Sequence, residues 1–123
     1  MIASVPHDHA GRPSSTFQVR FPHHSRVHLI GIAGSGMRSL ADVLSAAGWQ
    51  VSGSDLELDP ALVGRFAVRG THHADAIDKS VDLVIHSVAV PADNVELARA
   101  RTLKIPCRTY PQIVAELMHE SIE

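Results

Sequence analysis

The run Val27-His28-Leu29-Ile30-Gly31-Ile32, passing into Ala33-Gly34-Ser35-Gly36-Met37, constrains this chain more than any other stretch. A short apolar run that breaks into clustered glycines reads as a buried strand entering a tight turn. Met37, Leu40, Ala41, Leu44 and Ala47 then recur at helical spacing, and Gly48 stands where a helix stops. Strand, glycine loop and helix in that order open a βαβ unit, because parallel neighbours need a crossover.

The rest of the chain repeats the alternation. Further strands are expected at Trp49–Gly53, Val68–Thr71, Val81–His86 and Ile105–Arg108. Asp59-Pro60 is an N-cap followed by proline at the first helical position, opening a short helix that carries Leu62, Val63 and Phe66. Ala92–Leu103 has helical composition, with Val95, Ala98 and Leu103 expected inward. Tyr110-Pro111 opens a last helix expected to bury Ile113, Val114, Leu117 and Met118. The pattern predicts an α/β fold, a Rossmann-like doubly wound parallel sheet of about five strands with helices on both faces.

Composition narrows the function. The 123 residues suit one domain. At 45% hydrophobic and 20% charged, the chain has a globular profile. A net charge of -2 argues against a nucleic-acid backbone as partner. No apolar run approaches the roughly 20 residues of a membrane span, so no membrane partner is expected. Residues 1–25 mix Pro, His, Ser and Gly and read as a tail before a domain over 26–123, with one extended piece expected at Phe17–Phe21. The tail has no secretory apolar segment, and Cys107 is the single cysteine, so the cytoplasm is the expected compartment.

The glycine loop carries the chemistry. The N–H groups of Ser35 to Arg38, at a helix N-terminus, suit a diphosphate. Asp55 lies 19 residues after Gly36, at the end of the second strand, where a carboxylate reaches a ribose hydroxyl. The glycines alone would also serve a bare strand-to-helix turn. Ser39 in the third-glycine position counts against a nicotinamide dinucleotide, so the loop indicates a diphosphate without choosing the nucleotide. Met37 suits either the core or a cover over that diphosphate. Arg38 in the first turn opposes the helix dipole, a cost an anion would reverse. Ser87, Ala89 and Asn94 fall in the loop after the fourth strand, facing the same crevice. The nine His complete no metal-ligand pattern, no nucleophile triad is legible, and Cys107 reads as inert core.

The segments His28-Leu29-Ile30-Gly31-Ile32-Ala33-Gly34-Ser35-Gly36-Met37, Ala41-Asp42-Val43-Leu44 and Gly48-Trp49-Gln50-Val51-Ser52-Gly53-Ser54-Asp55 together resemble the start of the Mur ligases. Ser87-Val88-Ala89-Val90 with Asp93, Asn94 and Glu96, then Ile105-Pro106 and Ala115-Glu116-Leu117-Met118, continue the resemblance in order. The family commonly has glycine where Ala33 stands and a small residue where Arg38 stands. The Gly34-Ser35-Gly36-Met37 loop is closer to the alanine-adding branch than to the murein-peptide recycling branch.

The resemblance implies a domain that binds UDP-N-acetylmuramic acid in peptidoglycan synthesis and is not catalytic alone. Gly34, Ser35, Gly36, Met37 and Arg38 would take the diphosphate. Asp55 and His73 would lie near the uridine, His73 through a Gly-His pair that the family places there, with Ser87, Ala89 and Asn94 on the opposite rim. It also implies a central domain that binds ATP and magnesium and a C-terminal domain for the amino acid. The family's Gly-Thr-His-Gly-Lys-Thr loop is not in these 123 residues. The alternatives are a nucleotide-sensing module for NAD or UDP, or the recycling-ligase domain.

Overall fold

The computed structural model describes residues 25–122; the extended piece expected at Phe17–Phe21 lies outside them. Five strands form one all-parallel sheet: β1 Arg26–Ile30, β2 Gln50–Ser54, β3 Ala67–Arg69, β4 Leu83–His86 and β5 Cys107–Thr109. Their order is β3-β2-β1-β4-β5. The helices between them are α1 Ser35–Ala46, α2 Pro60–Val63 and α3 Val95–Thr102, with α4 Tyr110–Ile122 after β5 and a single 3-10 turn at Ala74–Ala76.

The alternation of side chains along β1 sorts the core into two layers, one on each side of the sheet. Val27 and Leu29, with Leu83 and Ile85, pack against Met37, Leu40, Ala41 and Leu44 of α1, Leu62 of α2 and Ile113 of α4. Ile30 and Val84 face the other way, onto Leu97 and Ala100 of α3 with Ile77, Val81 and Ile105.

Several boundaries differ from the sequence reading, each for a local reason. Gly31 takes φ +89° and ends β1 at Ile30. Trp49 does not begin β2. With Gly48 at φ +102° it completes the stop of α1, its N–H donating to the Leu44 carbonyl at 3.0 Å while that of Gly48 donates to Ser45 at 3.0 Å. α2 ends at Val63, which is exposed, and Phe66 packs on the core from beyond it.

The inward face of α3 is also corrected. Val95 and Ala98 are exposed, and Glu96, Leu97 and Ala100 are buried instead. In α4, Ile113 is buried and Leu117 partly so, whereas Met118 stands exposed.

Candidate functional site

From β1 the chain moves outward to β2 and β3, then returns to pair β4 with the opposite edge of β1. The loops that leave β1 and β4 therefore diverge at the carboxyl end of the sheet, and ligands of such sheets collect in that crevice.

The loop after β1 is held from below. Ser54, the last residue of β2, accepts the N–H groups of Gly31 at 2.8 Å and Ile32 at 3.2 Å on its carbonyl oxygen. Asp55 Oδ2 accepts the Ala33 N–H at 2.9 Å, and its Oδ1 accepts that of Glu57 at 2.8 Å. The Gly34 N–H returns to the Gly31 carbonyl at 3.2 Å, and α1 begins. Gly34 is the N-cap and offers no side-chain acceptor; the first turn contains no acidic residue. Arg38 donates the first intrahelical bond, to Gly34 at 2.9 Å, which leaves the Ser35, Gly36 and Met37 amides as the helix's unbonded donors.

The loop glycines have different reasons to be glycine. Gly31 needs its positive φ, and a Cβ there would stand 3.1 Å from Ser87 Cβ. A Cβ on Gly36 would meet the Tyr110 ring at 2.7 Å. Gly34 has ordinary room, with the nearest atom at 3.5 Å, and it is exposed at the mouth of the turn.

The other expected site residues are placed as follows. Met37 is buried in the core under α1. Arg38 braces the loop: its Nε donates to the Ala33 carbonyl at 2.8 Å and its guanidinium pairs with Asp59. The Ala61 amide, and next the Arg38 guanidinium, hold the Asp59 carboxyl below its ordinary range. Ser87 lies against Gly31, and its Oγ accepts the Ala89 N–H at 3.0 Å, so both sit at the crevice. Asn94 caps α3, its Oδ1 accepting the amides of Glu96 and Leu97. The His73 ring is exposed and caps the 3-10 turn, Nδ1 accepting the Asp75 N–H at 3.2 Å. Among the described residues no group of three or more His, Cys, Asp or Glu is arranged to hold a metal, and no helix is long and apolar enough to cross a membrane.

A model of the Mur ligase family, catalytic domain, matches residues 26–121. The chain belongs to the Mur ligase family.

Among its relatives, the UDP-N-acetylmuramate–L-alanine ligase of Methylococcus capsulatus is 42% identical over 99 residues, covering 76% of this chain and 21% of that protein. The same-named ligase of Delftia acidovorans is 44% identical over 100 residues, 78% of this chain and 20% of that one. The chain thus spans about a fifth of the length of the curated relatives it matches. The solved UDP-N-acetylmuramate–alanine ligase of Thermotoga maritima superposes with a TM-score of 0.71 at 30% identity, over 78% of this chain and 23% of that one. A murein peptide ligase of Psychrobacter arcticus shares the fold, with a TM-score of 0.67 at 23% identity over 75% of this chain and 20% of that one.

This Mur ligase chain also holds a buried polar cluster that reasoning from the sequence missed. Glu96 and His28 are 0% and 2% exposed. Glu96 Oε1 accepts from His28 Nε2 at 2.8 Å and from Ser54 Oγ at 2.6 Å, and Oε2 accepts the His73 backbone N–H at 2.9 Å. Burial is the largest influence on Glu96 and pushes its pKa up. The bonds from His28, Ser54 and the His73 amide outweigh it and hold the carboxyl below its usual range. Beyond them, His28 Nδ1 meets Ser52 Oγ at 2.8 Å, and Ser54 Oγ meets His72 Nδ1 at 2.9 Å. Ser52, His28 and Glu96 have the connectivity of a nucleophile triad. Ser52, however, sits inside a strand paired on both edges, so the neighbouring N–H groups serve the ladder rather than an oxyanion. The signal that pointed here was His28 itself, a polar residue inside an apolar strand that requires a buried partner.

Proposed function

We propose that this domain binds the UDP moiety of UDP-N-acetylmuramate within a UDP-N-acetylmuramate–L-alanine ligase, with the diphosphate on the first turn of α1. One observation carries the reading. Gly34, a loop glycine that no contact among the described residues requires, borders three unbonded amides at the crevice where β1 and β4 part. Ser54 and Asp55 already hold the loop that leads into α1, so its unbonded amides need no reordering to receive an anion, and charge-assisted bonds to them are the strong kind. Ser87 stands on the facing loop, and Asp55 keeps acceptor capacity beyond its two backbone bonds.

ATP and magnesium do not fit these residues. The strand–glycine–helix turn reads Gly34-Ser35-Gly36-Met37-Arg38, without the Lys and Ser/Thr that hold a triphosphate and its metal. No step of ATP-dependent ligation is assigned to this chain.

Calorimetry with UDP-N-acetylmuramate, UDP and NAD tests the assignment. The wild-type chain binds both uridine ligands and prefers them to NAD. Gly34→Val places branched carbons over the amides at a backbone conformation valine accepts (φ −62°, ψ 146°), so binding is lost while the melting curve stays in place. A preference for NAD, or UDP binding indifferent to Gly34→Val, refutes it.

A further inference from the structure

The proton count in the buried cluster fixes its direction. An ionised Glu96 only accepts, so the single O–H of Ser54 points at Oε1, 2.6 Å away. Ser54 Oγ then has only lone pairs for His72 Nδ1 at 2.9 Å, and His72 must carry its proton there. A neutral imidazole protonated on Nδ1 has its lone pair on Nε2. That nitrogen takes no hydrogen bond among the described residues, and the side chain remains 18% exposed. Ser54 is also the residue whose carbonyl holds Gly31 and Ile32, so His72 is anchored to the support of the glycine loop.

The geometry points to Glu96 and Ser54 as positioning residues that lock His72 in its Nδ1–H form and present Nε2 as an acceptor beside the crevice, for an N–H or O–H donor of the bound nucleoside. The ligand half of this inference rests on the nucleotide reading above; the relay itself does not. His28 serves the same carboxylate from the other side, fixing the oxygen that Ser54 bonds. The His73 amide on Oε2 fixes the segment that carries His72. The exposed ring of His73, the next residue, is a cap and not part of the relay.

Nitrogen-15 correlation spectra of the imidazoles at pH 8 test the relay on the wild-type chain, with His72→Ala to assign the ring. The expected pattern is a protonated Nδ1 and an unprotonated Nε2 for His72; the reverse tautomer overturns the proposal. In Ser54→Ala the Nδ1–H signature is lost, and UDP binds about three- to tenfold more weakly, the value of one hydrogen bond. His72→Ala leaves the Glu96–Ser54–His28 contacts in place and lowers UDP affinity by the same factor. Affinity unchanged in both variants overturns the ligand half. CDP, 2′-deoxyuridine diphosphate and 3′-deoxyuridine diphosphate then separate the donors: weaker CDP binding marks the imide N–H, a weaker deoxy ligand marks the hydroxyl it lacks, and full affinity for all three overturns the assignment to the nucleoside. If wild type binds no UDP at all, the nucleotide reading fails, and the ring spectra still decide the relay.

Discussion

The Asp55 carboxylate accepts the Ala33 amide at 2.9 Å, clasping the end of β2 to the turn that follows β1. A side chain expected at a ribose is thus also a structural brace, and removing it separates the two roles. Asp55→Ala should lower stability in urea by about 1–3 kcal/mol, because two amides lose a charged acceptor. Asp55→Asn retains one acceptor oxygen and should lose less. A fall in UDP affinity with stability unchanged would contradict the brace.

Gly36 and Gly34 should respond in opposite ways to one methyl group. Gly36→Ala drives a Cβ against the Tyr110 ring and should cost about 1–3 kcal/mol of stability, the range of overpacked sites. Combining it with Tyr110→Ala should cost less than the two changes summed. Gly34→Ala should leave the melting temperature nearly unchanged and weaken UDP binding. Equal melting temperatures for the two alanine variants would count against this division.

Acid should find the buried cluster. A carboxyl whose pKa is lower folded than unfolded stabilises the fold above its unfolded value, about 4.3 for Glu. That contribution is lost as pH falls through the lower folded value. Glu96 is such a group. The wild-type melting temperature should hold from pH 7 to 5 and drop below about pH 4. Glu96→Gln should begin lower at pH 7 and lose less on acidification. Parallel curves would show that the surface carboxylates, not Glu96, set the acid limit.

Cys107 should be a poor nucleophile. Burial pushes its thiol pKa up, partly offset by Arg101 and Arg108, and Sγ donates to the Ile105 carbonyl at 3.3 Å. Iodoacetamide at pH 7.5 should alkylate it more slowly than free cysteine, since only the thiolate reacts. Alkylation at the free rate would place the sulfur in solvent.

The strands and the glycine loop were legible because they are local patterns: apolar runs, turn residues and caps within a few positions of one another. The phase of α3 was not. Val95 and Ala98 were expected inward because apolar residues usually are, and the burial of Glu96 instead depends on His28, Ser54 and the His73 amide, three segments remote in sequence. The choice between His72 and His73 was equally hidden: the His73 ring bonds the Asp75 amide, and His72 meets Ser54. Adjacent histidines look alike in a sequence, and only Ser54, eighteen positions before His72, tells them apart. Met118 illustrates the opposite error, a large apolar side chain at helical spacing that stands 59% exposed among the described residues.

Tyr110 opens α4, and its ring occupies the place a side chain on Gly36 would need. α4 is a rod of 13 residues, about 20 Å long, whose near end bears on the turn that opens α1. A change in how α4 lies against the sheet would therefore reach the start of α1 through one ring, that of Tyr110, and would be felt first at Gly36.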